Sequence, residues 1–326
     1  MCIRDSDWAA EAWTAARIAA GALCCVVAVV AFTPSRAWLR RGLLTSFAVV
    51  SLFYSWPATL ELWAGQPNLF AMLPLAAAAL AHRRGSNGLT GLLLGLPAAI
   101  KTWPALFLVW LFRRGSGAGV RSWLGVAIAA STAVIPAIAL GGWQGLLDMV
   151  AVPLRGADQP DLAANSVWGI ARLLFQASSV GEPLLVSPLL QSVTSAALAL
   201  LVLGLGALIL TRPGNASIAL YNLAFVIILL LPLSHYFYLL YPLPALWWWV
   251  AQIVLHPRWR TGWYVATVLL LWWVVVFRIA PAGDGFATTT WQSLTRIFVA
   301  TLVAAIVSAV GATLPGPERS SAAEPV

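Results

Sequence analysis

Long apolar stretches, separated by short polar ones, make up the chain from Trp8 to Leu314. A helix needs about 20 apolar residues to cross a bilayer. Clear candidates lie at 9–32, 42–60, 123–141, 188–210, 263–280 and 292–314. Shorter or interrupted stretches lie at 68–81, 88–100, 103–112, 218–233 and 236–255. The pattern predicts an all-α, polytopic membrane protein with about 9–11 transmembrane or half-membrane helices.

Arginines occupy alternate loops between these stretches: Arg36, Arg40, Arg41, Arg83, Arg84, Arg113, Arg114, Arg121, Arg212, Arg258, Arg260 and Arg319. Loops rich in Arg or Lys stay on the cytoplasmic side, so these loops are predicted to be cytoplasmic. The remaining loops are predicted to be external. They carry the acids Glu61, Asp148, Asp158, Asp161, Glu182 and Asp284.

Both flanks of residues 88–112 are basic, so this stretch is predicted to enter the membrane and return. Pro97 and Pro104 are expected to break it into two half-helices, with Lys101 near the outer apex. Residues 218–233 are likewise predicted to run outward and turn at Ser234-His235-Tyr236. Such short helices are tolerated where neighbours or water satisfy their ends, which favours a cavity near the outer surface.

The domain organisation predicted is a non-native or disordered start at 1–7, one transmembrane domain at 8–314 and a disordered cytoplasmic tail at 315–326. Within the domain, residues 142–187 form the long external segment. It is expected to contain an interfacial helix from Gly142 and a second helix at 167–176. The first helix is predicted to start outside, which suggests that a native N-terminal segment is missing.

Composition supports the membrane assignment, because 61% of the residues are hydrophobic and only 9% are charged. The net charge of +8 comes from short loops and not from a basic patch, so membrane lipids and no nucleic acid are expected as partners. The excess of Arg over Lys and the high alanine content suggest a GC-rich bacterial genome, so the membrane is expected to be a bacterial plasma membrane. No carboxylate pair has metal-ligand spacing, so no metal site is predicted, although the need for a divalent metal stays open. No cofactor is predicted.

A few polar residues interrupt the apolar pattern on the predicted outer side. In Gly65-Gln66-Pro67-Asn68, the residue types suit a tight turn, but the two amide side chains also suit sugar hydroxyls. Lys101 is the sole lysine of the chain. A charge between two apolar helical segments favours a functional role, with phosphate as a natural partner. The alternative is a lysine that extends its charged end to the membrane interface and has no other role.

Three other residues have equally open roles. His235 either belongs to an interfacial belt of aromatic side chains or acts as an acid, a base or a phosphate ligand. Asn165 either caps the following helix or contacts a ligand. Arg172 lies on the same predicted side and could meet a phosphate.

Taken in order, several motifs resemble glycosyltransferase family 87, a family of integral-membrane GT-C enzymes. They are Gly65-Gln-Pro-Asn-Leu, Arg83-Arg84, the stretch from Gly91 to Pro104 around Lys101, Asn165-Ser-Val-Trp-Gly-Ile-Ala-Arg172 and Leu231-Pro-Leu-Ser-His235-Tyr. The resemblance implies a GT-C-like helical bundle. It also implies inverting transfer of a hexose, usually mannose, from a polyprenyl-phosphate sugar donor to a lipid or glycan acceptor on the extracytoplasmic face.

For the site, the resemblance implies His235 and Lys101 near the donor phosphate, with Gln66, Asn68, Asn165 and Arg172 binding the substrates. The family's chemistry needs a carboxylate base in the first external loop. No such loop precedes Asp7, so the base is predicted to be absent from this chain. Two other classes are weighed against the transferase: a lipid-linked-sugar flippase or small-solute transporter, and a non-catalytic membrane subunit.

Overall fold

The computed structural model describes residues 7–33, 38–113, 116–155, 165–177, 182–212, 215–232, 234–255 and 291–311, and within them every regular element is a helix. The α-helices are α1 (Asp7–Phe32), α2 (Trp38–Phe53), α3 (Trp56–Trp63), α4 (Asn68–Arg83), α5 (Asn87–Ile100), α6 (Val120–Arg155), α7 (Val167–Phe175), α8 (Pro188–Thr211), α9 (Ala216–Leu230), α10 (Leu243–Leu255) and α11 (Trp291–Gly311). Two 3₁₀-helices complete the set, η1 (Trp103–Phe112) and η2 (Tyr236–Leu240). The predictions for 1–6, 263–280 and 315–326, and for Asp158, Asp161 and Asp284, lie outside the described residues.

The described helices confirm the prediction of an all-α polytopic membrane protein. Three of them contain a segment long and apolar enough to cross a membrane: Trp8–Phe32, Val120–Asp148 and Pro188–Thr211. The pair α2 and α3 makes a fourth candidate if it is counted as one bent span. Helices α5, η1 and α9 are apolar but shorter, as the interrupted hydropathy pattern predicted.

The apolar stretch at 42–60, predicted as one span, is two helices that meet at an angle of 58°. The break falls at Ser55, whose hydroxyl accepts a hydrogen bond from the backbone N–H of Ala58. Pro57 follows in the first turn of α3, where a missing N–H costs nothing. A new helix start therefore interrupts the stretch, and it turns α3 and its Glu61 toward the start of α4.

Close backbone contact holds α5 against α6. A Cβ atom added at Gly91 would lie 1.8 Å from the carbonyl oxygen of Ser122, and one at Gly125 would lie 2.2 Å from that of Gly88. Small residues allow membrane helices to approach in this way. The contact fixes α5, and with it the position of Lys101 at its end.

The break in the 88–112 stretch differs in detail from the prediction. Helix α5 continues through Pro97 and ends at Ile100, so Pro97 does not break it. The chain leaves the helix at Lys101, whose backbone is extended, and Pro104 lies in the first turn of η1. Lys101 thus occupies the link between the two short helices, as expected.

Arginine side chains gather at one end of α4 and α5. Arg83, in the last turn of α4, donates to the carbonyl oxygen of Ala31 at 2.9 Å, and Arg41 donates to that of Thr33 at 2.8 Å. Arg113, which follows η1, donates to the carbonyl oxygen of Arg212 at 3.0 Å. The opposite ends of α4 and α5 carry Asn68 and Lys101, so the arginines and these polar groups occupy opposite ends of the same helices.

Helix α6 bends at Gly142, whose φ of 60° falls in the left-handed region that glycine tolerates. The part after the bend is a helix, as predicted, and its Trp143 is 66% exposed. Its placement in the membrane interface stays a prediction.

Candidate active site around Lys101

Lys101 is held by two amide oxygens from the turn before α4. Its Nζ atom donates to Oε1 of Gln66 at 3.1 Å and to Oδ1 of Asn68 at 3.3 Å. An ammonium group has three donors. In the contacts of the described residues, one N–H of Lys101 therefore remains for a ligand.

Two aromatic rings of η2 lie close to the same ammonium. Its Nζ lies 5.1 Å from the ring centroid of Phe237 and 4.9 Å from that of Tyr238, within the range of cation–π attraction. The His235 ring stacks on Phe237 with centroids 4.8 Å apart and meets Tyr238 edge-on at 5.4 Å. Trp103 packs on Tyr238 at 4.7 Å. The aromatic residues therefore bring His235 and Lys101 into one cluster.

The Gly65–Asn68 segment was predicted either to form a tight turn or to supply polar side chains to a ligand, and its structure is consistent with both. Gly65 has a φ of 69°, which favours glycine, and its carbonyl oxygen accepts a hydrogen bond from Nε1 of Trp13 at 3.2 Å. The turn also directs Gln66 and Asn68 toward Lys101. It is thus a tight turn whose polar side chains converge on one cation.

Asn68 lies between a cation and an anion. Its Nδ2 atom donates to Oε2 of Glu61 and its backbone N–H donates to Oε1, both at 2.6 Å. Its Oδ1 atom accepts from Lys101 and from the hydroxyl of Tyr241, the latter at 3.3 Å. Glu61 was predicted to lie in an external loop. The prediction of a loop is wrong, because Glu61 is in α3 and is fully buried. Its side of the membrane stays a prediction.

Arg17 approaches the same cluster from α1 and was not predicted to do so. It is buried, and its Nη1 atom donates to the backbone oxygen of Glu61 at 2.8 Å. Its Nη2 atom donates to Thr14 at 3.0 Å. Both Arg17 and Glu61 are charged residues inside apolar helices, which was the signal in the sequence that could have identified them.

Lys101 follows α5 and His235 precedes η2, and both lie outside the helical segments that are long and apolar enough to cross a membrane. Burial lowers the pKa of Lys101 to about 8, against an opposing effect of the Glu61 carboxylate. Burial and then the Lys101 charge lower the pKa of His235 below its ordinary value. At neutral pH the cluster therefore presents an ammonium beside a neutral imidazole.

The remaining predicted residues lie on or beside α7. Ser166, and not Asn165, caps this helix, because its hydroxyl accepts from the N–H of Gly169. Asn165 is buried, and its Oδ1 atom has no hydrogen-bond partner in the part of the chain that the structure describes. Trp168 donates to the carbonyl oxygen of Leu230 at 2.9 Å, so the start of α7 lies against the end of α9. The link to His235 begins there.

Arg172 lies in the last turn of α7, which packs against α8, α9 and α11. Gln66 and Asn68 therefore contact Lys101 directly, and His235 joins the cluster through the rings of Phe237 and Tyr238. Asn165 precedes α7 and Arg172 lies within it. Ligand contact by Asn165 or Arg172 stays a prediction.

The arrangement can bind an anion, since a partly exposed cation with a spare donor lies beside an imidazole and two amide side chains. The helices that carry it define a polytopic integral membrane protein. Residues 6–234 match Glycosyltransferase family 87 over more than half of the chain. The chain belongs to this family, as its motifs predicted, and is a membrane glycosyltransferase. Comparison with curated proteins and with solved structures gave no match.

Proposed function

We propose that the protein transfers a hexose from a polyprenyl-phosphate donor to a lipid or glycan acceptor on the extracytoplasmic face of the bacterial plasma membrane, with inversion. Mannose is the hexose expected. The observation that carries this proposal is the Lys101 ammonium, held between the oxygens of Gln66 and Asn68 and the rings of Phe237 and Tyr238.

The chemistry of the transfer suits this cluster. The acceptor oxygen forms a bond to C1 of the hexose while the bond from C1 to the phosphate oxygen breaks. The electron pair of the broken bond stays on the polyprenyl phosphate, whose negative charge increases. A fixed cation with a spare donor stabilises that charge in the transition state. The acceptor proton passes to a base and leaves with the product phosphate or the buffer.

The location of the cluster supports the proposed side of the membrane. Arg83 and Arg113 lie at the opposite end of α4, α5 and η1 from Lys101. Since arginine-rich ends stay in the cytoplasm, the Lys101 end is expected to face outward. The donor phosphate would then meet Lys101 at the outer surface.

Neutral His235 has two roles open to it in this reaction. It can accept the proton of the acceptor hydroxyl, or it can donate a hydrogen bond to the donor phosphate. Glu61 is a poor candidate for the base, because it is fully buried and both of its carboxylate oxygens accept hydrogen bonds from α4.

The test is transfer of radiolabelled mannose from polyprenyl-phosphate-mannose to extracted membrane lipids and glycans, with the full chain in proteoliposomes. Lys101→Met is expected to lower kcat/KM at least tenfold, because a hydrogen bond to a charged group contributes about 1.5–3 kcal/mol. Arg121→Met is the control, since it removes an exposed cation at the basic end. Equal activity of the wild type and Lys101→Met would contradict the proposed role of Lys101.

The same proteoliposomes distinguish the other classes of protein. Sugar-dependent counterflow without a covalent product would favour a flippase or transporter. Neither transfer nor counterflow would favour a non-catalytic subunit. Either result would contradict the proposed function.

A further inference from the structure

Glu61 joins the ends of two helices. It lies near the end of α3, and its Oε1 atom accepts from the backbone N–H groups of Asn68 at 2.6 Å and Leu69 at 3.4 Å. These N–H groups open α4, whose N-cap is Pro67 and has no side-chain hydrogen bond of its own. The carboxylate therefore caps α4 in place of a capping side chain and lies at the positive end of its dipole.

The same carboxylate sets the orientation of the Asn68 side chain. A carboxylate only accepts hydrogen bonds, so the Asn68 atom that faces Oε2 at 2.6 Å is the amide nitrogen. The amide oxygen must then point to the other side. It accepts there from Lys101 and from Tyr241.

From this geometry we infer that Glu61, acting through Asn68, is a positioning residue that holds the Lys101 ammonium in place and charged for the donor phosphate. The inference rests on the proposed function for the identity of the phosphate. Glu61 has no exposed surface, so it acts through its neighbours and not by touching the substrate.

Several charged and titratable groups surround this pair. Arg17 of α1 donates to the backbone oxygen of Glu61, the Tyr238 ring lies 4.9 Å from Nζ of Lys101, and His235 meets Tyr238 edge-on. Glu61 is the anion between two cations, Arg17 and Lys101. Among the residues that the structure describes, Glu61 is the acid whose charge acts on both Arg17 and Lys101, so its removal disfavours the ammonium form of Lys101.

Lys101 can be measured directly, because the chain has no other lysine. The full chain is treated with trace acetic anhydride from pH 6 to pH 10. Acetylation of the peptide that contains Lys101 is then quantified by mass spectrometry. Only the neutral amine reacts, so the rate against pH reports the charge of Lys101 without any assay of transfer.

Replacement of Glu61 by Gln removes the charge at nearly constant shape. The acetylation midpoint is expected to fall by about one pH unit from a wild-type value near 8. At pH 7 the variant then reacts about fivefold faster, since about half of the amine is neutral instead of about a tenth. The Glu182→Gln variant is the control and is expected to match the wild type, because Glu182 is exposed.

The conservative variant Glu61→Asp keeps the charge but shortens the side chain. Its acetylation midpoint is expected to lie between those of the wild type and Glu61→Gln. If Glu61→Gln is not recovered folded, Asn68→Ala is measured instead and is expected to react faster than the wild type. Wild-type acetylation in whichever of Glu61→Gln or Asn68→Ala is measured would overturn the inference.

Transfer kinetics separate this inference from the proposed function. In an active transferase, Glu61→Gln is expected to move the alkaline limb of kcat/KM to lower pH in parallel with the acetylation midpoint. If the wild type is inactive but Glu61→Gln shifts the acetylation midpoint, the proposed function is contradicted and the positioning role of Glu61 is retained. If the wild type is active but Glu61→Gln leaves the acetylation midpoint unchanged, only the positioning role of Glu61 is overturned.

Discussion

The Nζ atom of Lys101 lies 3.1 Å from Oε1 of Gln66, although 35 residues separate them in the chain. Gln66 sits in the turn between α3 and α4, and Lys101 sits in the link between α5 and η1. The contact brings two links together at the end of α4 and α5 that lies opposite Arg83. The first predictions test what each side chain in this cluster does.

Replacement of Gln66 by Glu places a carboxylate beside the Lys101 ammonium. We expect weaker donor binding, seen as a rise in KM of at least tenfold, because the new charge neutralises the cation and repels the phosphate. Gln191→Glu, at the start of α8, makes the same chemical change away from the cluster and is expected to leave KM unchanged. A Gln66→Glu enzyme with wild-type KM would show that the phosphate does not bind at Lys101.

The two roles of His235 can be separated with Gln and Ala. Gln keeps a hydrogen-bond donor but cannot accept a proton at neutral pH. If His235 only binds the phosphate, His235→Gln retains most of the activity that His235→Ala loses. If His235 accepts the proton, both variants lose transfer by about 10²–10⁴-fold.

His82 provides the matched histidine control for that experiment. It packs edge-on against Trp110, with ring centroids 4.9 Å apart, at the basic end of α4. We expect transfer by His82→Ala to stay within about twofold of wild type once corrected for the amount of folded protein. Wild-type transfer by His235→Ala would remove His235 from the catalytic site.

The pH dependence of the free enzyme follows from Lys101. Because burial lowers the pKa of Lys101 to about 8, we expect kcat/KM to fall as pH rises through about 8. Between pH 8 and 10.5, the ordinary pKa of lysine, Lys101 is protonated in the unfolded chain to a greater extent than in the folded one. The contribution of Lys101 to the free energy of unfolding therefore increases as pH rises through this range. A loss of activity above pH 8 therefore reflects loss of the Lys101 charge that binds the donor phosphate, and not unfolding caused by deprotonation of Lys101.

The Lys101→Arg variant checks that assignment. A guanidinium stays charged throughout this range, so the alkaline limb near pH 8 is expected to disappear even if the maximum rate is lower. An unchanged limb in Lys101→Arg would assign the titration to another group.

Packing of α5 on α6 gives a prediction for stability. We expect Gly125→Ala to destabilise the protein by about 1–3 kcal/mol or more, because the added Cβ would overlap the carbonyl oxygen of Gly88. Gly204→Ala in α8 is the control, since no atom lies within 4 Å of its added Cβ. Thermal unfolding of both variants in one detergent measures the difference, and equal midpoints would contradict the close α5–α6 contact.

Much of the candidate cluster could be predicted from local sequence. Gln66, Asn68, Lys101 and His235 stood out because polar groups in an apolar chain are costly and need partners. The resemblance to the family put them in one ordered set, and the family match over residues 6–234 covers Gln66, Asn68 and Lys101. Asn165 and Arg172 were predicted to bind substrate as well, and α7, which follows Asn165 and contains Arg172, packs chiefly against α8 in the described part of the chain, so their role stays a prediction.

Glu61 and Arg17 could not be predicted in this way. Glu61 was counted with the acids of external loops because it falls near the end of an apolar stretch. Its role depends on the 58° turn between α2 and α3, and no pattern of hydropathy encodes that angle. Arg17 is a single charge near the start of a long apolar helix, and the sequence does not reveal which neighbour such a charge meets.

The sequence by itself determined the helical character, the presence of apolar helices shorter than a full span and the arginine-marked end of the bundle. These follow from transfer energies and from loop charges, which depend on each residue and its near neighbours. Only the tertiary structure decided that a buried carboxylate on α3 orients Asn68, and that Asn68 in turn holds Lys101. Those contacts join separate helices, and they depend on bends and on glycine-mediated approach that act over the whole bundle.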